Sequence, residues 1–126
     1  MIKKVFNINN KWKVIAYYNI DYNLFYYIAN DIRKLGLNNK TINRIYKMMK
    51  NGRAKAVTIS SPLKKCSIVG FNHTNSEYDL INSIAHEAVH IMEAMLDYYD
   101  VDIKGEPPAY TIGHLVQIMM KPLSMI

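Results

Sequence analysis

His86, Glu87 and His90 lie in the motif His-Glu-Ala-Val-His. On a helix, two histidines four residues apart carry their imidazoles on the same side, at a spacing where one zinc ion can take both. The glutamate after the first histidine can then reach a water on the metal without binding the metal itself. Together these residues predict hydrolysis: zinc activates the water and polarises a scissile carbonyl, while Glu87 moves the proton as general base. That chemistry needs a helix to hold the pair, a third protein ligand, and an open metal position.

The helix is legible around the motif. Thr74 with Glu77, or Ser76 with Asp79, gives a capping-box start, and helical spacing runs from about Ser76 to Asp100. Asp79, Asn82, Ser83, His86, His90, Glu93 and Asp97 fall on one stripe, all of them polar. The other side carries Leu80, Ile81, Ile84, Ala85, Ala88, Val89, Ile91, Met92, Met95, Leu96 and Tyr99, a face wide enough to pack on a core. The two histidines are therefore not core residues of an apolar face.

A third ligand must come from downstream. A metzincin pattern would require Gly at position 93 and His at 96, whereas the chain has Glu93 and Leu96, so that version is excluded. Asp97, Asp100, Asp102, Glu106 and His114 remain as candidates. Glu106 is favoured because Pro107 and Pro108 suit the first turn of a new helix, which fixes the backbone next to it. This last helix is expected to run to about Lys121, with Glu106, Tyr110, Gly113, His114 and Gln117 on one face. A turn over Val101 to Gly105 would fold it back toward the histidines. Tyr110, His114 and His73 are candidate donors to the oxyanion, and Glu93 or Asp97 can orient a ligand imidazole.

Upstream, Ile2 to Ile8 and Trp12 to Asn19 read as strands joined through Asn9 and Asn10, residues that tolerate positive φ. Asp21 caps a helix through Leu35, with Leu24, Tyr27, Ile28, Ile32 and Leu35 inward and Gly36 as the stop. A second helix spans about Asn39 to Asn51, with Ile42, Ile45, Tyr46 and Met49 inward. From Ala54 the period becomes two, with Val57 and Ile59 opposite Ala56 and Thr58, up to a turn at Ser61 and Pro62. Lys65 to Asn72 forms a further strand. It is either an ordinary internal strand or an unpaired edge for an extended substrate, and Gly70 marks a bulge or a place where another backbone comes close. The order of elements predicts an α+β fold: a small, mainly antiparallel sheet packed with helices, in one domain over residues 1–126.

Composition narrows the classes further. No apolar run reaches the ~20 residues of a membrane span, and Met1 to Phe6 is not followed by a signal-peptide pattern, so a cytoplasmic protein is expected. Cys66 is the only cysteine, which excludes an internal disulfide and a cysteine-built zinc site. Sixteen Lys and Arg against ten Asp and Glu give a formal charge of +6, but the basic residues are scattered in ones and twos, which favours solvated surface over a nucleic-acid interface.

His86 to His90, followed by Glu106-x-x-Ala109-Tyr110, resembles the gluzincin metallopeptidases, especially the small zincin-like proteins of phages and mobile elements and the ImmA/IrrE-type peptidases. The resemblance covers roughly residues 74–120. It implies a minimal zincin-like domain in which His86, His90 and Glu106 bind Zn2+; with Glu87 as the base and Tyr110 and His114 as candidate donors, the expected activity is zinc-dependent hydrolysis of a peptide or protein. The alternative expectation is a catalytically inactive zincin-like metal-binding protein acting through a protein partner or assembly.

Overall fold

In the computed structural model, strands β1 (Ile2–Ile8) and β2 (Trp12–Tyr18) form an antiparallel hairpin. The structure describes residues 1–102 and 104–125, without the side chains of 124 and 125. Asn9 and Asn10 both take positive φ, 52° and 58°, as the reversal between right-twisted strands demands. Helices α1 (Phe25–Lys34) and α2 (Asn39–Lys50) come next, then strands β3 (Ala56–Ser61) and β4 (Cys66–Phe71). Helices α3 (Glu77–Tyr98) and α4 (Glu106–Met120) complete the fold.

The sheet order is β1-β2-β4-β3, with β1/β2 and β4/β3 antiparallel and β2/β4 parallel. The fold is therefore α+β with a mostly antiparallel sheet, as expected. The parallel pair arises because α1 and α2 lie between β2 and the second hairpin and act as a crossover. β4 is paired on both sides, so it is the internal strand of the two alternatives, and the edge beside α3 belongs to β3. Gly70 is neither of the expected features: its pairing with Tyr17 and Val57 is in unbroken register, and the atom that a Cβ would meet at 3.0 Å is Ile20 Cδ1, a side chain and not a backbone.

Strand alternation divides the interior into two cores. Val14, Ala16, Tyr18, Val69 and Phe71 face α3 and α4, whereas Ile15, Tyr17 and Ile68 face α1 and α2. On β3, Val57 and Ile59 pack toward the second core while Ala56 packs toward the first, which puts Thr58 and Ser60 on the α3 side. The inward face of α1 differs from the predicted one: Phe25, Ala29 and Asp31 are buried as well as Ile28 and Ile32, and Tyr27 is 51% exposed. Asp21 caps a short 3-10 turn, Tyr22–Leu24, before the α-helix begins, and the tighter winding of that turn shifts the phase of α1.

Ser76 is the cap that starts α3, accepting a hydrogen bond from the Asp79 N–H at 3.3 Å. The helix ends without glycine. Asp100 takes φ 54°, its N–H bonds to Asp97 O and the Val101 N–H bonds to Leu96 O, the paired bonds of a Schellman turn. Gly105 opens α4 at φ 88° and ψ −151°, a region essentially closed to other residues. Residue 103, inside the expected Val101 to Gly105 turn, lies outside the described residues. Leu115, Ile118 and Met119 bury α4 against the α3 side of the sheet, and the Tyr18 hydroxyl donates to Met119 O at 2.7 Å. No helix among the described residues is long and apolar enough to cross a membrane.

Candidate metal centre

His86 and His90 lie one turn apart on the exposed side of α3. Their Nε2 atoms stand 3.3 Å apart, with ring centroids separated by 5.0 Å and planes inclined at 69°. Two nitrogens bound at ~2.05 Å to one tetrahedral zinc are about 3.3 Å apart, so the pair already has the separation of ligands to a shared ion. A hydrogen bond between neutral rings gives a similar distance. Both arrangements aim the two Nε2 atoms at each other, and with the His86 side chain 68% exposed, core packing does not impose the convergence. In donor chemistry and separation the pair fits two positions of a zinc site.

Glu87 is placed quite differently. It is 5% exposed, turned from the polar stripe toward β3, and a carboxylate so buried needs partners. The Thr58 hydroxyl donates to Glu87 Oε1 at 2.9 Å, and Oε2 lies 3.8 Å from His86 Nε2. One carboxylate oxygen is thus anchored to the sheet and the other faces the histidines. Nothing in the sequence pattern marks Thr58 as functional, although the alternation on β3 separates it from Val57 and Ile59.

The space in front of this group is a groove between α3 and β3. One lobe, about 290 Å³, is bounded by Ala56, Asn82, His86 and Glu87. The other, about 580 Å³, is bounded by Thr58, Ser60, His90, Glu93 and Asp97. Glu93 and Asp97 therefore continue the groove beyond His90. Its strand wall is tied to the neighbouring strands on the same face of the sheet, where Trp12 Nε1 donates to Ser67 Oγ at 3.0 Å and Ser67 shares a 2.6 Å hydrogen bond with Ser60.

The candidate residues of the last helix are not brought to the pair. Glu106, Tyr110, Gly113, His114 and Gln117 do share a face, but it is the solvent face, with Tyr110 75% exposed. Trp12 packs on Tyr98 while Tyr18, at the other end of the same strand, bonds to Met119, so α3 and α4 run antiparallel. At 1.5 Å per residue, Glu106 at the start of α4 is therefore ~12 Å along the axis from the level of His90, whereas His114 is roughly level with it. Among the described residues, no three His, Cys, Asp or Glu side chains stand together as a metal-holding group. His73 lies in the loop before α3, its ring nitrogens 2.9 and 3.2 Å from Asn19 and Asn75 side-chain oxygens.

Compared with protein-family models, curated proteins and solved structures, the chain matches none.

Proposed function

We propose that the chain is a zinc-dependent peptidase in which His86 and His90 hold the metal and Glu87 is the general base. The observation that carries this reading is the 3.3 Å convergence of two imidazoles beside a buried carboxylate with one oxygen left facing them. Zinc, when bound, supplies Lewis acidity toward the scissile carbonyl and the attacking water. Glu87 Oε2 takes the proton from that water and passes it to the leaving amine, and Thr58 fixes the orientation of the carboxylate during both transfers. The unpaired edge of β3 offers backbone N–H and C=O groups to a peptide laid along the groove in extended form. Glu106 is the third ligand in this reading, and engaging it requires the start of α4 to unwind and close an offset of ~12 Å from the level of His90.

A second reading keeps the metal without the hydrolysis. It is favoured by the outward orientation of Tyr110 and His114, which leaves the groove without the donors assigned to it. Zinc titration and cleavage of a peptide library separate the two readings. The peptidase binds about one zinc per chain, loses it on His86→Ala or His90→Ala, and keeps it but stops cleaving on Glu87→Gln. Cleavage undiminished in Glu87→Gln overturns the assigned base, and zinc binding with no cleavage by the unaltered chain leaves the second reading.

A further inference from the structure

Basic residues that are scattered along the sequence converge in space on the opposite side of the sheet from the histidines. A cleft of about 410 Å³ lies beside the end of α1, and four of its nine lining residues are lysines: Lys3 from β1, Lys13 from β2, Lys34 from the last turn of α1, and Lys64 from the β3–β4 turn. Asp31 is the one acidic group in its wall. It is 8% exposed and already engaged, by Lys3 Nζ at 3.0 Å and by the Tyr17 hydroxyl. Four ammonium groups against one carboxylate leave an excess of three positive charges at this place. Among the described residues, no carboxylate forms a salt bridge with Lys13, Lys34 or Lys64.

These lysines are exposed, but they come from four separate elements and surround one concave space. Lys13 shares strand parity with Ile15 and Tyr17, whose side chains are buried against α1 and α2, so alternation calls for an apolar residue there. Charges turned inward are a known guard on edge strands, and that explains Lys3 on β1. It does not explain Lys13, since β2 is paired on both sides. Lys34 complements the helix end it occupies. Lys13, exposed near the start of β2, and Lys64, exposed in the β3–β4 turn, both border a floor formed by Ile15, Leu35 and Cys66. Ammonium groups around a concave, partly apolar floor are suited to a compact anion of several charges rather than to a long polymer backbone.

We infer that this cleft binds a small phosphate ester or polyphosphate, with Lys13, Lys34 and Lys64 as its ligands. The site is independent of the metal pair, and its test does not require any hydrolytic activity. Calorimetric titration of the full chain with pyrophosphate and with ADP, at constant ionic strength, measures it directly. The combined Lys13→Gln, Lys34→Gln and Lys64→Gln variant is compared with a charge-matched control carrying Lys40→Gln, Lys47→Gln and Lys50→Gln. Both probes bind the unaltered chain, and the cleft variant loses roughly ten-fold or more in affinity while the control stays within about two-fold. Equal affinity for the two probes assigns the site to phosphate groups alone, and tighter binding of ADP adds the apolar floor to the contact. Failure of both probes to bind, equal losses in the two variants, or binding of single-stranded RNA with neither small probe bound overturns the inference. All six lysines are exposed. Should the cleft variant nevertheless unfold, backbone amide shifts of the unaltered chain on adding pyrophosphate decide the matter: shifts confined to residues around Lys13 and Lys64 support the site, and shifts spread over the surface overturn it.

Discussion

Thr58 Oγ1 on β3 donates to Glu87 Oε1 on α3 across 2.9 Å, tying the proposed base to the sheet rather than to its own helix. The bond leaves the carboxylate one free oxygen, on the side of the histidines. Replacing Thr58 by Val removes the donor while nearly keeping the shape. A hydrogen bond to a charged group is worth about 1.5 kcal/mol, so turnover is expected to fall about ten-fold. Zinc affinity should stay within about two-fold, and Thr58→Ser should restore most of the rate. Peptide hydrolysis and zinc titration on the same preparations check this.

The histidine pair makes a separate prediction in the absence of any substrate. Zinc at about a hundred times its dissociation constant stabilises a folded chain by about 2.7 kcal/mol. His86→Ala and His90→Ala should each abolish that gain. Both side chains are exposed, so the metal-free variants should remain within about 0.5 kcal/mol of the unaltered chain. Denaturant melts with and without zinc measure both quantities.

Glu106→Gln tests whether α4 takes part. A third ligand lost from the site weakens zinc binding by at least roughly ten-fold, and the comparison variant His114→Ala leaves it unchanged. The opposite pattern would give the third position to His114, which lies level with His90 along the helix pair.

Docking of α4 has an energetic test. Leu115 is fully buried in the core shared with α3 and β2. Leu115→Ala should cost about 2–5 kcal/mol, the range for a large-to-small change at a packed site, read from urea or thermal unfolding.

Alkaline pH should destabilise the fold. Burial raises Tyr17 and Tyr18 above their ordinary 10.0, with Asp31 adding to the shift at Tyr17, and it raises Cys66 above 9.0. In each case the folded state favours the protonated form. That stabilisation is complete below the unfolded values and is lost as pH climbs through 9.0 and 10.0 toward the folded ones. Unfolding free energy should therefore fall above pH 9.0. The fall should be shallower in Tyr18→Phe, which titrations of urea midpoint against pH will show.

Much of the fold is legible in the sequence because it depends on neighbours along the chain. The Asn9-Asn10 reversal, the Ser76 cap and the alternation in β3 are local matters, and the structure carries all three. Tyr27 reads as inward only because a 3-10 turn is not visible in a helical pattern. The parallel β2/β4 pairing is not legible, since strand order depends on contacts far apart in the chain. At the site, helical spacing of i and i+4 brings His86 and His90 together. Glu106 rests on a resemblance and two prolines, neither of which fixes the axial offset between two packed helices. Thr58 lies 29 residues from Glu87, a distance over which sequence carries no signal without strand order. The lysine cleft is hidden for the same reason, since its members come from four separate elements.

The two margins of the sheet are unlike. β1 carries Lys3 and Lys4, charges that discourage another strand from adding there, whereas β3, from Ala56 to Ser61, has none. Growth of the sheet by one more strand is thus blocked on one side and permitted on the other. The permitted side borders the histidines, so any chain that extends the sheet is delivered to His86 and His90 as a consequence of where it can attach.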